Sequence, residues 1–275
     1  QGLENGVYGY EYAPVRAVCA RLGNVRAYVC FGVLRQNFTE GRRMIYAISD
    51  LHGDYEKYAA MLKKIRFSDA DTLYVLGDVI DMGEDGLKIL MDMSARPNVF
   101  PIVGEHEFHA LPLLRRLKGN LSEKTAANMD ADTMRAFAEW GKNGGQETAA
   151  AFRALSKDDR AWILEYLEDF APYEEVEVGG RDFVLVHAGL ANFSPERPLD
   201  DYELRELLFT VPDYERVYFQ DKVLVTGHRP TAEIHPDYKG RIFSLNNHLA
   251  IDCGAAYGMP LGCVRLDDFA EFYVM

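Results

Sequence analysis

Ile45-Tyr46-Ala47-Ile48-Ser49-Asp50-Leu51-His52-Gly53 is an apolar run that ends in two side chains able to ligate a divalent cation. The run reads as a buried strand and the Asp-x-His-Gly as the turn that closes it. The pattern recurs twice. Thr72-Leu73-Tyr74-Val75-Leu76 leads into Gly77-Asp78-Val79-Ile80-Asp81, and Val99-Phe100-Pro101-Ile102-Val103 leads into Gly104-Glu105-His106-Glu107. Hard carboxylate and borderline imidazole donors together suit divalent metals, so three such clusters on three strand ends imply one metal site. Between the strands, Asp54 is placed to N-cap a helix whose Tyr58, Met61, Leu62 and Ile65 fall at i, i+3, i+4, i+7. A second helix starts near Leu87-Lys88-Ile89-Leu90-Met91. The order β-α-β-α-β predicts an α/β fold with a parallel sheet and its donors at the C-terminal edge.

Downstream, Phe183-Val184-Leu185-Val186 runs into His187, and Val223-Leu224-Val225-Thr226-Gly227 into His228. Taken alone, each would read as a buried histidine; their place after apolar strands points to a ligand role. His109, His235 and His248 match no such pattern and read as ordinary histidines. Residues about 108–171 read as a helical insertion beside the site, with breaks at Gly119-Asn120 and Gly144-Gly145. Glu175 to Val186 carries a hairpin signal around Gly179-Gly180. The runs Val223–Val225, His248–Asp252, Cys263–Leu266 and Glu271–Val274 are expected to complete a second sheet, giving a two-sheet β sandwich flanked by helices.

At 275 residues the chain can bury a substantial core. A net charge of −13 argues against a surface built for nucleic acid. The dense basic cluster Arg115-Arg116-Leu117-Lys118 reads as a solvated helix face. Four cysteines without C-x-x-C spacing suggest reduced thiols and a cytoplasmic protein. No apolar run has the length of a membrane span, so no membrane partner is expected. The apolar stretch Ala27–Leu34 lacks a small-x-small cleavage site and is not read as a signal peptide. Residues 1–43 carry neither periodicity nor a donor cluster; they are expected to be an upstream extension, native or added, ahead of a domain that spans 44–275 and starts at Met44.

These blocks resemble the metallophosphoesterases, and within them the bacterial serine/threonine phosphoprotein-phosphatase type, whose GDxHG, GDxxDRG, GNHE, HAG and GH motifs follow in this order. The resemblance, from about Met44 to Val274, implies a calcineurin-like fold and two divalent ions, manganese first, with iron, zinc and magnesium as alternatives. It implies Asp78 as the bridging ligand, Asp50 and His52 on one ion, and Glu105, His187 and His228 on the other. His106 is implied as general acid, with Asp81 as its partner. The expected reaction is attack of metal-bound hydroxide on a phosphomonoester, either protein phosphoserine or phosphothreonine or a small phosphoester. Diadenosine tetraphosphate hydrolysis is the alternative. Trp140-Gly141-Lys142-Asn143-Gly144-Gly145 is similar to a turn of bacterial members; by itself it fits a glycine-closed helix end as well as a substrate-contacting loop.

The chain departs from the family at three places. Met82 stands for the arginine of DRG, Glu105 for the asparagine of GNHE, and Val211 where a second arginine is usual. Loss of guanidinium forks weakens phosphate binding, so a catalytically weakened, metal-binding pseudophosphatase is a further alternative. Arg229, directly after His228, is either a compensating phosphate contact or a solvent-facing arginine.

Overall fold

Alternation along the strands divides the core into layers. The computed structural model describes residues 17–22, 25–30, 43–119 and 129–275. Strand β4 (Thr72–Leu76) is buried on both faces: Leu73 and Val75 pack with the helices, while Tyr74 and Leu76 pack between two sheets. Its neighbours β3 (Ile45–Ile48) and β5 (Val99–Ile102) run parallel to it. Period-2 side-chain direction in a sheet covered on both sides accounts for such unbroken apolar runs. In β7 (Arg181–Val186), Phe183 and Leu185 face the first sheet, and Val184 and Val186 face outward onto Leu190, Tyr202 and Leu207.

The first sheet has the order β12-β11-β3-β4-β5 and the second β6-β7-β8-β10-β9. The second comprises β6 (Tyr173–Val178), β7, β8 (Lys222–Thr226), β9 (Phe243–Leu245) and β10 (His248–Ala250). The two-sheet α/β sandwich is therefore as expected, with one correction. Strands β11 (Leu261–Arg265) and β12 (Glu271–Val274) belong to the first sheet, with Cys263 opposite Ile48 and Val264 opposite Ala47. An apolar strand reveals its burial but not which free edge it joins, and here the open edge of β3 takes it.

Helix α1 (Tyr55–Ile65) buries Tyr58, Met61, Leu62 and Ile65, and the Asp54 carboxylate accepts the Lys57 N–H at 2.9 Å. With α2 (Gly86–Ser94) it covers the helix side of the first sheet. The insertion begins at α3 (Glu105–Leu117), slightly before residue 108, and continues through α4 (Ala131–Trp140), α5 (Gln146–Ala154) and α6 (Lys157–Glu168). The break at Gly144 is a single wide turn, Gly141–Gly145, with Gly144 at φ 91°. The break at Gly119-Asn120 falls at the border of the described residues. Strands β1 (Ala17–Leu22) and β2 (Val25–Cys30) pair antiparallel. The expectation of a separate extension over 1–43 otherwise lies outside the described residues. Among the described residues no helix is long and apolar enough to cross a membrane.

Glu107, 1% exposed, ties α3 to the end of β4. Its carboxylate accepts the N–H groups of Gly104 and Asp78 at 2.9 Å each, of Val79 at 2.8 Å and of Ile80 at 3.2 Å. Each oxygen takes two donors, so an amide in its place turns an NH₂ toward two N–H groups whichever way it is flipped. Glu107→Gln is expected to lower unfolding free energy by roughly 2–3 kcal/mol, seen as a lower urea midpoint at unchanged slope. An unchanged midpoint would show that these four bonds do not hold the turn.

Candidate metal centre

The donor side chains sit on turns that the backbone reaches only under strain. Asp50, His52, Asp78, Asp81, Met82 and His228 all have positive φ, between 42° and 70°. Non-glycine residues seldom adopt this region, and such outliers persist where surrounding structure over-determines them. Here the clamps are visible. The N–H groups of Asp50, His52 and Gly53 donate to the carbonyls of Gly77, Asp78 and Val79 at 2.8–3.1 Å, locking two strand-end turns together. Gly104 approaches so closely that a Cβ there would lie 2.2 Å from Asp78 N and 2.3 Å from its Oδ1. A third turn is held when Gly227 N–H donates to His187 O at 2.7 Å.

Asp78 stands at the centre. Its Oδ2 lies 3.8 Å from His52 Nε2 and 3.5 Å from His187 Nε2, and its Oδ1 accepts the His106 backbone N–H at 2.9 Å. Two sets of donor atoms, each within 4.8 Å of one another, share it: His52, Asp78 and His106, and Asp78, His187 and His228. His187 Nδ1 donates to the Leu76 carbonyl at 2.7 Å, which fixes the tautomer and leaves Nε2 bare toward Asp78. That Nε2 and the His52 Nδ1 are buried without a hydrogen-bond partner.

The charges are poorly balanced without a cation. Burial, together with the Asp252 and Asp78 charges, pushes the Asp50 carboxyl well above its usual range. Burial also raises Asp252, to about 7. Burial opposes ionisation of Asp78 as well, but the His187, His106 and His52 rings hold it below the ordinary range. Burial depresses His52 to about 4, and burial with the neighbouring His187 lowers His228. Bare imidazole nitrogens and crowded carboxylates in one buried place fit the donor chemistry of a divalent ion.

Of the other expected ligands, Asp50 turns both carboxylate oxygens to the His228 N–H, at 3.1 and 2.9 Å, and lies in neither donor set. Glu105 also lies in neither; its carboxylate spans His228 Nδ1 at 3.6 Å and His109 Nε2 at 3.7 Å. His109 thus borders the cluster, although its sequence context did not mark it. His248 pairs with Thr226 Oγ1 at 2.9 Å and stacks on Tyr214, and His235 is exposed.

Beside the cluster, His106 Nδ1 lies 2.9 Å from Asp81 Oδ2, and the same oxygen accepts Trp140 Nε1–H at 2.8 Å. The Asp81 N–H donates to Thr148 Oγ1 at 3.0 Å. Burial works against a charged His106, but the Asp81 hydrogen bond and the Asp78 charge raise it to about 9. Thr148 carries no sequence signal, and the Trp140–Gly145 turn by itself does not point to Asp81. The glycine-rich turn after the tryptophan was the available signal: Gly145 lets the indole lie where a Cβ would be 2.3 Å from the ring. The turn also packs on Met82, whose N–H donates to Gly144 O at 3.0 Å. Met82 and Val211 are exposed, and Arg229 pairs with Glu233 at 3.2 Å.

The family model for calcineurin-like phosphoesterases matches residues 44–256. A symmetrical bis(5'-nucleosyl)-tetraphosphatase of Buchnera aphidicola is 36% identical over 81 residues, covering 29% of this chain and 30% of that protein. Serine/threonine-protein phosphatase 2 of Salmonella typhimurium is 29% identical over 150 residues, 53% of this chain and 58% of that protein. The matches thus span less than two thirds of these relatives' lengths. A protein serine/threonine phosphatase structure from Saccharomyces cerevisiae superposes with a TM-score of 0.55 at 14% identity, covering 82% of this chain and 73% of that one. At that identity the likeness concerns the fold.

Because Trp140 and His106 share one carboxylate oxygen, Trp140→Phe removes a donor without emptying the pocket. Its expected signature is a roughly tenfold fall in phosphoester turnover at unchanged metal content, the scale of one hydrogen bond to a charged group. Equal turnover in both proteins would remove Trp140 from the positioning of Asp81.

Proposed function

We propose that this chain, which belongs to the calcineurin-like phosphoesterase family, hydrolyses phosphomonoesters with two divalent ions at the Asp78 cluster. Protein phosphoserine or phosphothreonine is the substrate class. The observation that carries the reading is the placement of His106. Its ring is pinned through Nδ1 to buried Asp81, and its backbone N–H donates to Asp78, where the two donor sets meet. Asp50 and His52 would hold one ion, Glu105, His187 and His228 the other, and Asp78 would bridge them. Manganese is the first choice, with iron, zinc and magnesium compatible with the same mixed donors. Bound there, the ions supply positive charge to the phosphoryl oxygens and make water a competent nucleophile at neutral pH.

The protein's own groups do the rest. With Nδ1–H donating to Asp81, His106 presents Nε2–H to the leaving oxygen as general acid, and Asp81 stabilises the imidazolium before the proton is given up. Asp81 is fully buried and keeps this orientation through Trp140. Met82 and Val211 offer no guanidinium to the phosphate, and Glu105 adds negative charge near it, so we read the activity as attenuated. To contact phosphate, Arg229 would have to leave Glu233. Among the described residues, the buried free thiols of Cys253 and Cys263 fit a cytoplasmic setting.

Symmetrical dinucleoside tetraphosphate hydrolysis is the second reading. It is favoured by the tetraphosphatase relatives and by a groove of about 1980 Å³ that opens from His106. Initial rates on a phosphoserine peptide and on diadenosine tetraphosphate, with added manganese and with chelator, separate the two. Activity that survives exhaustive chelation would refute the metal-dependent reading of both.

Two substitutions dissect the site. Asp78→Asn is expected to lose bound metal and activity together, because a neutral amide bridges two cations poorly; elemental analysis showing two ions retained would contradict the bridge. His106→Ala is expected to keep its metal while turnover falls by roughly 10²–10⁴-fold. If single-turnover rates match the parent's, His106 is not the acid.

A further inference from the structure

The groove that starts at His106 has an aromatic wall leading away from the metal cluster. His109, whose Nε2 is 3.7 Å from Glu105, meets the Phe209 ring at 5.4 Å, and Phe209 meets Phe108 edge-on at 5.7 Å. Arg205, on the short helix α7 (Leu204–Leu208), closes this wall. Its guanidinium carbon lies 5.0 Å from the Phe108 ring centre and 5.6 Å from that of Phe209, and both Arg205 and Phe108 line the groove. Contact with aromatic rings holds the guanidinium in place while leaving its N–H edge available.

Three other arginines are already paired, while Arg116 and Lys142 also line the groove. Arg115 binds Glu168 at 2.8 Å, Arg197 binds Glu206 at 2.6 Å, and Arg229 binds Glu233 at 3.2 Å. Arg205 is exposed and has no carboxylate within 4 Å among the described residues. The groove carries Glu105, Asp132, Glu139 and Glu168 together with Arg115, Arg116 and Lys142, so an anionic substrate lying along it meets mixed charge, and Arg205 is a cation there that two aromatic rings hold in place. A planar fork of donors suits a phosphate or a carboxylate, which it can take bidentately.

We propose that Arg205 determines specificity by gripping a second anionic group of the substrate, a phosphate or carboxylate carried beyond the phosphoryl group that is cleaved. The assignment rests on the phosphoesterase reading of the cluster and deepens it. A substrate with one phosphate and no further anion gains nothing from this residue, whereas a polyphosphate or a phosphopeptide with acidic neighbours does.

Arg205→Ala and Arg205→Lys, compared with the parent in the manganese-loaded enzyme, test this on four substrates. These are para-nitrophenyl phosphate, a phosphoserine peptide flanked by alanines, the same peptide flanked by glutamates, and diadenosine tetraphosphate. The first two should keep kcat/KM within about twofold, while at least one of the last two loses about tenfold or more, mainly through KM. Loss on the tetraphosphate identifies a phosphate as the second anion; loss on the acidic peptide identifies a carboxylate. Arg205→Lys should recover part of the loss, since a point charge remains. Equal losses on all four substrates, or none, overturn the proposal. Calorimetric titration supplies a readout without turnover: Arg205→Ala should weaken tripolyphosphate binding about tenfold and leave orthophosphate unchanged. A parent that hydrolyses nothing would sink the phosphatase reading, and in that case unchanged tripolyphosphate affinity in Arg205→Ala would overturn the role of Arg205 separately.

Discussion

Burial of the Asp78 carboxylate among three imidazoles is the constraint around which the molecule is arranged. Its Oδ2 faces His52 and His187, its Oδ1 takes the His106 N–H, and its own N–H goes to Glu107. Desolvating a carboxylate is expensive unless its surroundings repay the cost electrostatically. The three rings do so in part, and a bound cation would complete the compensation. Every strand end that reaches this point contributes either a donor or a backbone clamp, so the two-sheet sandwich serves as a frame that brings distant segments of chain to one carboxylate.

The frame stores strain where the chemistry lies. Of the eleven non-glycine residues with positive φ among those described, six belong to the strand-end turns around Asp78. Each costs of order 1 kcal/mol or more relative to ordinary backbone. The interlocking bonds from Asp50, His52 and Gly53 to the 77–79 turn and the four-donor seat of Glu107 oppose that strain. Stability elsewhere comes from the apolar layers, whose alternating residues in β4 and β7 bind helices on one side and the opposite sheet on the other.

Much of this was legible in the sequence, for identifiable reasons. Strands buried on both faces announce themselves as apolar runs, and donors clustered right after them can converge at one edge; Asp78, His52, His187 and His228 follow from that, whereas the Asp81–His106 pair comes from the family resemblance. What escaped was non-local. Nothing in Leu261–Arg265 says that it pairs with β3 instead of extending the second sheet. Glu107 looks like a further donor, yet its carboxylate is filled by the Gly104 N–H and by three backbone N–H groups from a loop nearly thirty residues away. The Trp140–Gly145 segment fits a glycine-closed helix end as well as a substrate-contacting loop, and neither reading puts the indole N–H on Asp81. Asp50 and Glu105, ligands by resemblance, lie in neither compact donor set, a distinction of a few ångströms that sequence spacing does not encode.

Trp140 has a wider consequence. Most of the candidate cation holders are anchored on strand ends of the sandwich, with Glu105 at the start of α3, while the indole that holds Asp81 comes from α4 and reaches it across 59 positions of chain. The donor cluster and the indole that orients Asp81 beside it therefore lie on separable parts of the architecture. A lineage could rebuild the helices after α3, changing the surroundings of Asp81 and what lies along the groove, while Glu107 of α3 keeps its seat under the cradle. Conversely, a graft of these helices onto a related sandwich would carry the indole with it, so they form a portable attachment that sets the surroundings of Asp81.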